Sequence, residues 1–207
     1  MSPPARPLAA DSDPLLRLAY RIARAGTWFG GALLIAAALL IGVEVVIRKV
    51  FSLSIGGADE LSGYALAIST SWALAFALLE RAHIRIDSLY IHLPVRWCAL
   101  LDILGLALLI AFFALVTWYG FGVFRTSYTL DAESLSPLST PLVVPQALWV
   151  LGLVMFLAIA LLLLIRALGA LATGDLATVR KLVGSRTLSE EVAAEIGESP
   201  PGAEPRA

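Results

Sequence analysis

The stretch "YALAISTSWALAFALLERAHIRID", residues 64–87, decides how the chain is read. Residues 64–79 carry no charge, and five of the next eight, from Glu80 to Asp87, are ionisable. An apolar run that ends so abruptly reads as a helix leaving a bilayer for water. The whole chain agrees, with 59% apolar and 15% charged residues and a mean hydropathy of +0.85, where soluble domains carry about 25% charged residues.

Four apolar runs approach or exceed the ~20 helical residues that cross a bilayer: 27–47, 61–79, 98–123 and 143–165. Their continuity, without alternation, excludes barrel strands. The third run is longer than a bilayer needs, so it should tilt or project. The fourth opens at "TPLVVPQALW" (140–149), where Pro141 and Pro145 suit a first turn rather than a helix interior.

Lys and Arg number four before the first run, two after it, three in the middle loop, one in the third loop and five in the tail. The asymmetry places both termini in the cytoplasm. Trp28 and Trp97 then mark the inner interface, and Trp118 and Trp149 the outer one. Trp72 falls near mid-span, where its indole N–H finds no partner in lipid, so it should face protein.

Ahead of the first run, "DPLLRLAYRIARAG" (13–26) sets Leu15, Leu18, Ala19 and Ile22 against Arg17, Arg21 and Arg24. An interfacial amphipathic helix on the cytoplasmic surface is expected there. A cleaved signal peptide is not expected, because the run is too long and lacks a clear cleavage site. The expected organisation is a cytoplasmic segment over 1–26, a four-span domain over 27–168 and a largely disordered cytoplasmic tail over 169–207. "TLSE" (187–190) in that tail has the pattern of a capping box. The fold class is all-α, an integral membrane four-helix protein.

A net charge of −1 gives no reason to expect nucleic acid as a partner. The single Cys98 excludes an internal disulfide. Nothing matches a zinc-protease, nucleophile-elbow or P-loop pattern, so neither a cofactor nor a catalytic residue is expected. His83 and His92 stand in the middle loop, which weakens a haem-anchor reading. Glu44 and Arg48 have the spacing of an intrahelical pair, which is preferred to an ion ligand. Asp102 is within reach of Arg81 or Arg85. Asp59 and Glu60 begin the second helix and are read as N-terminal acids complementing its dipole rather than as a substrate site. No carboxylate falls at the midplane, where a transporter acting alone binds its coupling ion. The chain therefore reads as a protein that binds and holds another protein in the bilayer.

From "EVVIRKVF" (44–51) through "ADELSGYALAISTSWALAFALLERAHIRID" (58–87), the chain resembles the small, DctQ-like membrane subunit of tripartite ATP-independent periplasmic (TRAP) transporters. The matching residues are Arg48, Phe51, Glu60, Trp72 and the "AHIRID" exit with His83, Arg85 and Asp87. A second match is "TPLVVPQALWVLGL", with Pro141, Pro145, Gln146 and Gly152. The resemblance covers about residues 15–168. It implies a bacterial inner-membrane complex with a large multi-span permease subunit and a periplasmic substrate-binding protein. In such complexes the large subunit carries the sodium and organic-acid sites and moves, and the small one is a fixed scaffold. "RKVFSLSIGG" and the long tail depart from the pattern. A redox-enzyme anchor and a self-sufficient small transporter are the alternatives.

Small residues recur along the second run. Gly63, Ala67, Ser71 and Ala75 make one row, and Ala65, Ser69, Ala73 and Ala77 another on roughly the opposite side. Small rows let helix backbones approach closely. The expectation is a helix gripped on two sides, by its own bundle and by the large subunit.

Overall fold

The computed structural model describes residues 13–54, 56–81 and 94–184. His83, Arg85, Asp87, His92 and "TLSE" lie outside the described residues. Four long helices, α1 (Pro14–Phe51), α2 (Ala58–Leu79), α3 (Val95–Thr129) and α4 (Val143–Ala172), precede a short α5 (Leu176–Val183). Among the described residues no strand occurs; a single bridge joins Glu133 to Pro141. The four long helices are each long and apolar enough to cross a membrane. The protein is an all-α, multi-pass membrane protein.

The charges at the helix ends outline a slab. From Arg24 to Glu44 on α1, and from Glu60 to Glu80 on α2, the chain is free of charge over about 30 Å of helix, the thickness of a hydrocarbon core. The helices overrun these limits because nothing in the flanking sequence breaks them. α1 has 38 residues, about 57 Å of helix, and α3 has 35, about 52 Å.

Local chemistry sets the ends. Asp13 caps α1, its carboxylate accepting from the Leu15 N–H at 3.0 Å, with Pro14 in the first turn where its missing N–H costs nothing. Ser52, in the left-handed region at φ 54°, ends it. Asp175 caps α5 by accepting from Thr178 N, after Gly174 has turned the chain at φ +77°.

Two expectations are corrected here. Residues 14–26 do not form a separate interfacial helix; they are the first turns of α1. The side facing the bundle there is Leu16, Ala19, Tyr20 and Ala23, whereas Leu15, Leu18 and Ile22 are exposed. Small residues let α1 approach its neighbours, and lipid accepts the larger apolar side chains equally well. Residues 169–184, placed in the tail, are helical instead: α4 continues to Ala172, and α5 lays Val179, Leu182 and Val183 into the core.

The spans stand in the order α1, α2, α4, α3. α2 packs on α1 and α4, α3 packs on α4 and α5, and α3 has at most marginal contact with α1 and α2. This is a row of helices more than a closed bundle. Phe156 of α4 is fully buried, with Phe113 of α3 at 4.6 Å between ring centroids. At the N-terminal end of α1, an ion pair of 2.6 Å between Asp13 and Arg166 fastens its start to α4.

Candidate functional site

α2 is packed on both sides, and its middle turns approach both neighbours closely. On one side it meets α1. A Cβ on Gly30 would stand 3.0 Å from the Ser69 Cα, and one on Gly26 would stand 2.9 Å from the Trp72 ring. Ser69 Oγ donates to the Gly30 carbonyl at 2.8 Å, a bond only this approach permits. On the other side it meets α4. A Cβ on Gly152 would stand 2.7 Å from Trp72 Cδ1 and 3.0 Å from Ser71 Cβ.

Trp72 joins the two sides. Its Nε1 donates to the Leu148 carbonyl of α4 at 2.9 Å, and its ring meets Phe29 of α1 edge-on at 5.3 Å. The indole N–H is thus satisfied in the middle of the slab, where water is not available. Ser71 donates to the Ile68 carbonyl within α2. The hydroxyls and indole of this knot are directed at backbone of the chain itself, leaving a rigid, internally satisfied interior.

The end of the slab formed by the C-terminus of α1 and the N-terminus of α2 holds two polar groups. Glu44 is buried at 4% exposure and accepts from Arg48 at 2.7 Å and from Ser54 at 2.6 Å, so the loop between α1 and α2 is tied back onto α1. Glu60 accepts from the Tyr64 hydroxyl at 2.7 Å, and Ser134, Ser136 and Thr140 of the loop between α3 and α4 stand near the same carboxylate. Pro137 packs on Gly56, which needs its φ of +75°, and Leu138 packs on Gly57. The residue opening α2 is Gly57, with no side-chain cap, and Asp59 is exposed. Asp59 and Glu60 stand in the first turn of α2 without a side-chain cap bond, and Glu60 also faces the loop between α3 and α4.

The remaining candidates fall apart. Phe51 is 66% exposed at the end of α1. Pro141 precedes α4 in the bridge to Glu133. Pro145 is buried in the first turn of α4, and Gln146 follows it with its Oε1 closed off from solvent. The small-residue row is split: Gly63 and Ala67 are exposed, whereas Ser71 and Ala75 are buried. Residues four apart advance by about 400°, so the row winds off the contact face. Buried Ala65, Ile68, Ser69, Ser71, Ala75 and Leu78 follow the seam with the neighbours instead.

Residues 37–170 match the family described as "Tripartite ATP-independent periplasmic transporters, DctQ component". The chain belongs to this family. No curated protein and no solved structure matches it. The DctQ match begins within α1 and ends within α4, so it contains Glu44, Glu60, Trp72 and Gly152. Gly26 and Gly30 lie ahead of it. These two glycines are site residues the sequence reading overlooked. Their signal was present in "GTWFG" (26–30), the G-x-x-x-G of close helix pairs. Ser134, Ser136 and Thr140 had no signal, because only folding brings their loop to Glu60.

Proposed function

We propose that this DctQ-type chain is the scaffold of a TRAP transporter in the bacterial inner membrane, with both termini cytoplasmic. It holds the large multi-span permease subunit, which performs sodium-coupled import of organic acids delivered by a periplasmic substrate-binding protein. The observation that carries the reading is the knot at Trp72. α2 is locked to α1 and α4 by glycine seats and by hydrogen bonds to backbone. A moving transport element needs interfaces that slide or hinge, whereas this one is built to stay fixed.

The row-like arrangement supports the same reading. An open row offers long lateral faces, and the exposed Gly63 and Ala67 of α2 lie on such a face. In lipid, small exposed residues gain nothing, whereas a partner helix gains dispersion contacts by approaching them closely. The test is co-purification. A tagged chain should retain the large subunit in mild detergent, and Ala67→Leu should release it while the chain itself stays folded. Retention of the large subunit by Ala67→Leu would reject this face as the contact.

A further inference from the structure

The first turns of α1 have three sides. At ~100° per residue, Leu16, Ala19, Tyr20, Ala23 and Gly26 share the side covered by the bundle. Leu15, Leu18 and Ile22 form an exposed apolar flank. Arg17, Arg21 and Arg24 form the other exposed flank, and Trp28, 72% exposed, continues it one turn on. Among the described residues none of the three arginines meets a carboxylate. The nearest acid in sequence, Asp13, is held by Arg166.

Their height on the helix fits a headgroup layer. Arg24 stands about 30 Å along α1 from Glu44, at the edge of the hydrocarbon. Arg21 and Arg17 follow about 4.5 and 10.5 Å further on. A headgroup layer is roughly 5–8 Å deep on each side, and a tilted helix with long, flexible arginines brings all three within reach of it. Trp28, just inside Arg24, occupies the level where indole rings settle at an interface. The apolar flank beside them faces acyl chains.

We propose that the Arg17–Arg21–Arg24 flank of α1, continued by Trp28, is a binding surface for anionic phospholipid headgroups. Its guanidinium groups take the phosphates and its apolar neighbours line the chains. It goes beyond the positive charge that sets topology, because three arginines with no carboxylate partner among the described residues lie in one row and select lipid by charge.

The test uses the full-length chain in mild detergent, with phosphatidylglycerol and phosphatidylcholine of matched acyl chains, bound lipid being counted by native mass spectrometry. Phosphatidylglycerol should bind more tightly than phosphatidylcholine, and R17Q, R21Q and R24Q should each weaken it roughly fivefold. The triple Gln variant should treat both lipids alike, and the triple Lys variant should keep most of the preference. Arg125→Gln, at the other end of the slab, should not change it. Equal binding of both lipids by the natural chain, or a preference that survives the single Gln substitutions unchanged, overturns the proposal. So does a photo-crosslinker at position 21 that labels protein instead of phospholipid in native membranes.

Discussion

Gly152 of α4 lies against Ser71 of α2 with no room for a side chain: an added Cβ would stand 3.0 Å from the Ser71 Cβ and 2.7 Å from the neighbouring Trp72 ring. These two helices are not consecutive in the chain, so this contact sets the order of the whole row. Gly152→Ala should destabilise the protein by about 1–3 kcal/mol through overpacking, read as a lower thermal midpoint in detergent.

Adjacent glycines of α1 offer a sharper comparison. Gly30→Ala drives a methyl group into Ser69 backbone, which cannot rotate away, whereas nothing lies within 4 Å of a Cβ at Gly31. Gly30→Ala should lower the midpoint. Gly31→Ala should leave it unchanged or raise it by the equivalent of about 0.4–1 kcal/mol.

Trp72→Phe keeps most of the ring and loses the donor to Leu148. Interhelical hydrogen bonds in membrane proteins are worth about 0.6 kcal/mol on average. The Phe variant should therefore cost about that much, and Trp72→Ala about 3–5 kcal/mol, in equilibrium unfolding. Equal losses would mean that the bond, not the packing, holds α2 to α4.

The Glu44–Arg48 pair should respond asymmetrically. Arg48 is 62% exposed and Glu44 only 5% by side chain. Glu44→Ala releases an arginine that water can solvate, at a cost of about 1 kcal/mol or less. Arg48→Ala leaves the buried carboxylate with Ser54 but without its counter-charge and should cost more, up to about 3 kcal/mol. Adding Glu44→Gln to Arg48→Ala should recover part of the loss.

Helix periodicity and length made four apolar helices legible in the sequence, and i,i+4 geometry made Glu44 and Arg48 legible as a pair. The need of a mid-span indole for a partner pointed to Trp72, but not to Leu148. What was hidden shares one physical cause. In a bilayer both lipid and core are apolar, so hydrophobic pattern does not say which face is covered, as Leu15 and Leu18 against Leu16 and Ala19 show. Close packing of small residues decides it, and that signal lay in "GTWFG". The clasp on Glu60 depends on a loop more than seventy residues away in sequence, beyond any local rule.

The scaffold role is tested most directly by uptake into proteoliposomes. The large subunit, the substrate-binding protein and this chain are reconstituted together, in pairs and singly, and uptake of the organic acid held by the binding protein is measured under a sodium gradient. Uptake should require all three, and this chain alone should carry none. Sodium-driven uptake by this chain alone, or full-rate uptake by the other two without it, would contradict the assignment.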